Sequence, residues 1–527
     1  MSAAADVREL PAVHRRPVGR ATIGDQLRRH ARTQGGRVAL VSHEGGSRRE
    51  TTYGELDRRA NAVAHHLLAL GVRRGDRVAV MARNSADVVA VYYGALKAGA
   101  AFTGVNVLHG RDEVAGQLDH AGPAVVIAGP EYVDLLTPIT TDVLGRIVLG
   151  DGAEGWTPLA EVLAGPDHEP DVDVDEHDLA MLVYTSGTES TPKGVMIPHR
   201  NYLISTAPAW SWGLRTGPDD TWFFAMPFFT IAGLGSMTTL TMMGATLVLP
   251  DALDPARALD LIASERITVV AQTPTFYLAL ARHPDFGPAS VGSVRRAMTY
   301  GGQVSPAAVD AWADAAEGVV WGTYWGQSEL SQLGSVGWFS RLEDIPDADP
   351  SWIGTPVTHL ETRIVRPDGV DAAPGETGEL WCRSPSVMLG YFREPERTAE
   401  VFTDDGWLRT GDIVRADGSG NLFFADRARD MIKSGGFNVS SQEVERVLHT
   451  HPEVLRAAVV GRPDEYWSEA VTAFVIVRSP VAPEDLVAYC RERLASYKTP
   501  KAVHVVEEFP VDGQGKVLKR ELRRVDV

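Results

Sequence analysis

The stretch Leu182-Val183-Tyr184-Thr185-Ser186-Gly187-Thr188-Glu189-Ser190-Thr191-Pro192-Lys193-Gly194 decides how this chain is read. Strand-forming residues run into a loop dense in hydroxyls and glycine that ends in a lysine. Backbone N–H groups, hydroxyls and one ammonium can together wrap a polyphosphate, so the segment reads as a phosphate loop at the end of a strand. The Walker A pattern, GxxxxGK[ST], competes with that reading. Gly187 and Lys193 keep its spacing, but Pro192 stands for its second glycine and Gly194 for its Mg²⁺-binding hydroxyl residue, so it fails where it must function. The bland alternative is a surface Ser/Thr loop.

Working outward, the upstream third alternates helix and strand signals. Thr52 and Glu55 form a capping-box pattern; Leu56, Ala60, Val63, Leu67 and Leu70 then recur at helical spacing until Gly71, and Arg77–Met81 reads as a strand. Short apolar runs at 124–128, 146–149, 245–249 and 267–270 continue the alternation and predict an α/β fold with mostly parallel strands. His65 and His66 are adjacent on the predicted helix and cannot share a face, so they read as solvated or structural rather than metal-binding. The acidic, Pro-containing run 166–178 reads as a solvated connector, and no internal repeat is visible. After about Ser351 the texture becomes short strands and turns, predicting a β-rich subdomain over about 351–425. From about Asp430, helical patterns at Ser441–His449 and 483–494 with strands between them predict a small α+β domain.

A length of 527 residues implies two or more domains and a large core. With 51 Lys and Arg against 69 Asp and Glu, the formal charge of −18 opposes a phosphate-tracking surface, so no nucleic-acid partner is expected. Only Cys382 and Cys490 occur, too few for a disulfide framework or thiolate cluster, which fits a reducing cytoplasm. Residues 1–16 carry Arg and Asp but no apolar run, so no signal peptide is read. The stretch 221–250 has no charged residue and is longer than the ~20 residues a membrane span requires. Pro227, Gly233, Gly235, Gly244 and many threonines make it read instead as buried strand and loop around a cavity, with no membrane span.

Further motifs follow in order: Trp325-Gly326-Gln327-Ser328-Glu329, Gly378-Glu379-Leu380-Trp381 through Gly390-Tyr391, and Trp407-Leu408-Arg409-Thr410-Gly411-Asp412. Then come Asp426 to Lys433, Gly435-Gly436-Phe437-Asn438-Val439 and Gly513-Gln514-Gly515-Lys516. With the loop at Tyr184 to Gly194, this series resembles the adenylate-forming superfamily, specifically the acyl-CoA synthetases, over nearly the whole chain. The resemblance implies a domain over 1–428 that binds ATP and the acyl group, a mobile domain over 429–527, and ATP, Mg²⁺ and CoA as the small molecules used. It also implies attack of a small-molecule carboxylate on the α-phosphate of ATP, then displacement of AMP by a thiol. The oligomeric state stays open, with a dimer among the options.

The resemblance further implies roles residue by residue. Lys516, Glu329 and Lys193 would be catalytic, Glu329 as the Mg²⁺ ligand. Thr185, Ser186, Gly187, Thr188 and Ser328 would hold phosphates, while Trp325 stacks on adenine beside Gly326 and the Gly302-Gln303-Val304 backbone reads its edge. Asp412 would accept hydrogen bonds from the ribose, helped by Arg427. Arg429 marks the hinge, and Gly435 and Gly436 would line the approach of the pantetheine arm. Phe229, Thr230, Gly301, Gly302 and Gly326 would line the acyl pocket. The charge-free stretch lacks a carboxylate for an amino-acid ammonium, which favours an apolar acyl group.

Three departures qualify the pattern: Glu189 stands for a Thr, Ser190 for a Gly, and Thr230 for a common His, a change expected to enlarge the pocket. The leading expectation is an ATP-dependent acyl-CoA ligase for a hydrophobic or aromatic carboxylate. One alternative is an enzyme of a single half-reaction, adenylation or thioesterification, and another is a non-catalytic protein that binds nucleotide or acyl-adenylate.

Overall fold

A computed structural model describes residues 21–44, 46–140, 142–185, 193–208, 213–300, 304, 306–428, 430–434, 437–464, 466–511 and 516–525. They divide into two compact units.

The first unit is α/β, as expected. One sheet runs in the order Thr157–Pro158, Gly145–Val148, Val125–Ala128, Arg77–Met81, Ala101–Gly104, Leu179–Thr185, Lys193–Pro198. Its neighbours are parallel except the last pair, an antiparallel hairpin. A second run of strands orders as Ser47–Thr52, Val38–Glu44, Thr246–Leu249, Thr221–Phe223, Val269–Gln272, Arg296–Thr299, Val320–Trp325, Ser335–Phe339, with a parallel middle and an antiparallel strand at each end. The helix Ala86–Lys97 touches strands of both sheets and is buried nearly all round, which is why its sequence is apolar on every face.

Thr52 caps the helix Tyr53–Ala69 by accepting a bond from the Glu55 N–H at 3.2 Å. The expected capping box is only half realised, because the Glu55 carboxylate accepts from Arg49 Nη2 at 2.7 Å instead of reaching back to the cap. A larger correction falls in 221–250, where the expected strand and loop contain the helix Ile231–Met243. Thr230 caps it, accepting from the Gly233 N–H at 3.1 Å and donating to the Pro227 carbonyl at 2.9 Å. Gly233 lowers helix propensity but is required here, since a Cβ on it would stand 2.0 Å from the Pro227 oxygen. Among the described residues no helix is long and apolar enough to cross a membrane.

The run 166–178 is largely solvated but tied down by a buried ion cluster. Lys97 Nζ, on a side chain 1% exposed, bonds Asp57 Oδ1 at 2.6 Å, Asn61 Oδ1 at 2.6 Å and Glu169 Oε2 at 2.7 Å. His65 bonds the His168 carbonyl at 3.0 Å, a structural contact.

In the second unit, antiparallel strands order as Glu361–Val365, Thr377–Arg383, Leu408–Ala416, Leu422–Arg427, Trp352–Pro356. A further sheet is built on the long hairpin Val454–Asp464 and Ser468–Val477. The helices Ser441–His449 and Pro483–Arg491 pack Val444, Leu448, Leu486 and Cys490 against one of its faces.

Removing one partner of a buried ion cluster leaves the others uncompensated. Lys97→Ala should therefore lower the unfolding free energy by about 3 kcal/mol, while Arg49→Ala, which breaks an exposed pair, should shift it by no more than about 0.5 kcal/mol. Urea denaturation of both variants checks this; equal, small effects would mean the cluster contributes little.

Candidate active site

In open α/β sheets, ligands bind beyond the carboxyl ends of the strands. Thr185 ends one parallel strand of the first unit, and Trp325 ends another. After Trp325 the chain doubles back, with the Gly334 N–H donating to the Trp325 carbonyl at 2.9 Å and the Gln332 N–H to the Gln327 carbonyl at 3.0 Å. Gly326 permits this, because a Cβ there would lie 1.6 Å from the Gln332 carbonyl oxygen. Ser331 and Gln332 take φ values of 56° and 104°, rare for residues with a Cβ. Buried bonds hold them there: Ser331 Oγ donates to the Ser386 carbonyl at 2.6 Å, and Gln332 Nε2 donates to Ser236 Oγ at 2.8 Å.

This turn carries Glu329, and Tyr391 holds it. The Tyr391 hydroxyl donates to Glu329 Oε1 at 3.0 Å, and the Met388 N–H donates to the Glu329 carbonyl at 2.8 Å. Burial, and then the charge of Glu329, push the Tyr391 phenol above its ordinary pKa, keeping it a donor. Lys193 Nζ lies 5.0 Å from the centroid of the same ring, within cation–π range. The chain around Tyr391 lies along the strand Lys193–Pro198: the Leu389 N–H bonds the Met196 carbonyl at 3.0 Å, and the Phe392 N–H bonds the Gly194 carbonyl at 2.8 Å. The fold thus gathers Lys193 and Glu329 around one tyrosine. In the sequence Gly390-Tyr391 is only a landmark of the motif series, with nothing that marks Tyr391 for a role.

Ser328 and Val304 are buried and Thr185 is half-buried. Trp325 is 7% exposed, and its ring covers Gly334. Thr230 is also buried, its hydroxyl engaged in the helix cap, next to a half-buried Phe229. Asn84, another residue missed in the sequence, clamps the adjoining turn: its Nδ2 donates to the Met226 carbonyl at 2.7 Å, and its Oδ1 accepts from the Phe228 N–H at 3.0 Å.

In the second unit, Asp412 and Arg427 face each other across adjacent strands, with Arg427 Nε 2.7 Å from the fully buried Asp412 carboxylate. Glu379, unassigned in the sequence, shapes that turn: its carboxylate accepts from the Gly411 N–H at 3.0 Å and from Trp381 Nε1 at 2.9 Å. Lys516 is exposed, ahead of the helix Lys519–Leu522. Ser186, Gly187, Thr188, Glu189, Ser190, Gly301, Gly302, Gln303, Arg429, Gly435 and Gly436 lie outside the described residues.

The AMP-binding enzyme family model matches residues 27–392, and the model of the AMP-binding enzyme C-terminal domain matches 443–516. The chain belongs to the AMP-binding enzyme family, within the adenylate-forming superfamily whose motifs it carries. Among its curated relatives, a feruloyl-CoA synthase of Amycolatopsis sp is 35% identical, covering 90% of this chain and 93% of that protein. A long-chain-fatty-acid–CoA ligase, FadD13 of Mycobacterium tuberculosis, is 33% identical over 90% and 92% of the two chains. The crystal structure of the anthranilate CoA ligase AuaEII in complex with anthranoyl-AMP matches with a TM-score of 0.87 at 28% identity, covering 98% of each chain.

A hydrogen bond to a charged group contributes roughly 1.5 kcal/mol or more, so Tyr391→Phe should lower kcat/KM for ATP by about tenfold. Steady-state kinetics, with circular dichroism as a folding control, checks this. An unchanged kcat/KM would mean that the phenol does not orient Glu329.

Proposed function

We propose that this chain is an AMP-forming acid–thiol ligase that joins a hydrophobic or aromatic carboxylate to CoA through an acyl-adenylate. A carboxylate oxygen attacks the α-phosphorus of ATP and expels pyrophosphate; the CoA sulfur then attacks the acyl carbon and expels AMP. The observation that carries this reading is the joining of Glu329, just past the strand that ends at Trp325, and Lys193, paired with Thr185 at the end of a strand of the other sheet, through Tyr391, in a chain of this family.

In this reading Lys193 and the hydroxyls of Thr185 and Ser328 meet the phosphates, and Asp412, compensated by Arg427, accepts from the ribose hydroxyls. The Glu329 carboxylate fits Mg²⁺, a hard cation that takes carboxylate together with substrate phosphate oxygens, because Tyr391 engages one of its oxygens and leaves the other as a ligand. Such an ion would neutralise phosphate charge. Lys516 serves the first step by countering charge that builds between the carboxylate and the α-phosphate. The domain boundary at 428/429, the hinge at Arg429 and the pantetheine approach over Gly435 and Gly436 belong to the same reading.

The acyl partner is apolar. The helix Ile231–Met243 has no charged residue, and its buried Ser236, Thr238 and Thr239 offer only hydroxyls that already bond within the protein. The named substrates of the relatives, feruloyl and fatty acyl groups, are of the same kind. Two free, buried cysteines suit a reducing cytoplasm. No observation favours a single half-reaction or a non-catalytic binding protein.

Pyrophosphate release over a panel of aryl and alkyl carboxylates, with and without CoA, tests the proposal. CoA-dependent turnover with at least one apolar acid is expected; release of orthophosphate, or no turnover at all, would contradict it. Lys516→Ala should lower acyl-adenylate formation by about 100-fold or more, yet leave acyl-CoA formation from synthetic acyl-adenylate near wild type. Equal loss of both steps would remove Lys516 from the first.

A further inference from the structure

His120 stands in the last turn of the helix Arg111–Ala121, far in sequence from every residue assigned above. Its Nδ1 shares a 2.7 Å hydrogen bond with the Tyr184 hydroxyl, and its Nε2 lies 3.8 Å from Glu394 Oε1. Edge-on contacts place its ring 5.8 Å from the rings of both Tyr184 and Phe392. Glu394 is also held by Arg397 at 2.7 Å, and Arg393 Nη1 donates to the His120 carbonyl at 3.1 Å. The imidazole therefore joins three segments: its own helix, the strand ending at Thr185, and the chain that follows Tyr391.

The registers give this junction a consequence. Tyr184 pairs with Gly194 and Thr185 with Lys193 across the hairpin, while Phe392 bonds the Gly194 carbonyl. A displacement of Tyr184 is passed to both Thr185 and Lys193, and a displacement of 392–394 is passed to Tyr391 and so to Glu329. We propose that His120 is a positioning residue for the nucleotide, acting through Tyr184 on Thr185 and Lys193. This rests on the ligase reading above and goes beyond it, since His120 touches none of the assigned residues. A leucine of similar bulk would fill the same space but could not bond Tyr184.

The test compares ATP and carboxylate kinetics of His120→Leu, His120→Gln, Tyr184→Phe and the His120→Leu/Tyr184→Phe double variant, with Lys193→Ala as a control. Loss of one hydrogen bond should raise KM for ATP about fivefold in His120→Leu and in Tyr184→Phe, with the carboxylate KM and melting temperature nearly unchanged. His120→Gln should recover part of the loss, and the double variant should be no worse than either single one. If Lys193→Ala raises the ATP KM while His120→Leu does not, the inference is wrong and the ligase reading stands. A uniform fall in both substrates' kinetics together with the melting temperature would mark His120 as merely structural and overturn it. If the wild type releases no pyrophosphate with any carboxylate, the ligase reading falls and the inference with it.

Discussion

One hydrogen bond, from the Tyr391 phenol to Glu329, organises the edge of the first unit where the strand ending at Trp325 turns back. It works because Tyr391 is not a free side chain on a loop. The backbone on either side of it is bonded to the strand that begins at Lys193, so the position of that tyrosine, and of the carboxylate it holds, is tied to the register of one hairpin. The role proposed for Glu329 beside a polyphosphate requires a carboxylate that is fixed without being neutralised. A neutral phenol on one oxygen, with a cation over the same ring, meets that requirement.

The remainder of the unit braces this edge while keeping the helix Ile231–Met243 free of charge. The helix Ala86–Lys97 packs against both sheets and ends in an ion cluster that gathers Asp57, Asn61 and Glu169 around one ammonium. Charge is thus spent where it pins a connector, and excluded from the helix Ile231–Met243, whose polar groups are hydroxyls bonded within the fold. In the second unit Asp412 is shaped in a related way: Glu379 fixes the turn through the Gly411 N–H, and Arg427 compensates the buried charge.

Local patterns in the sequence translated well where secondary structure follows from neighbours along the chain. The strand Arg77–Met81 and the helix Ser441–His449 form at the expected residues, because alternation, caps and breakers there all agree. The helix Ile231–Met243 escaped that logic: its glycines and threonines argue against a helix locally, yet close approach of the Pro227 carbonyl demands a residue without a Cβ. The motif residues Glu329, Lys193, Asp412 and Arg427 stand out in the sequence by type and order, and the fold places the first two about Tyr391 and pairs the last two. Their supports were not. Tyr391, Glu379, Asn84 and His120 act through partners distant in sequence, 62 residues in the case of Tyr391 and Glu329, and no periodicity or spacing reports such a bond.

In the proposed reaction a carboxylate oxygen of the acid becomes bonded to the α-phosphorus of ATP. The most direct measurement is turnover with ¹⁸O-labelled carboxylate in the presence of CoA, followed by mass spectrometry of the nucleotide product. One ¹⁸O atom is expected in the phosphate of AMP for each acyl-CoA formed. Unlabelled AMP, or label in orthophosphate alongside ADP, would contradict it.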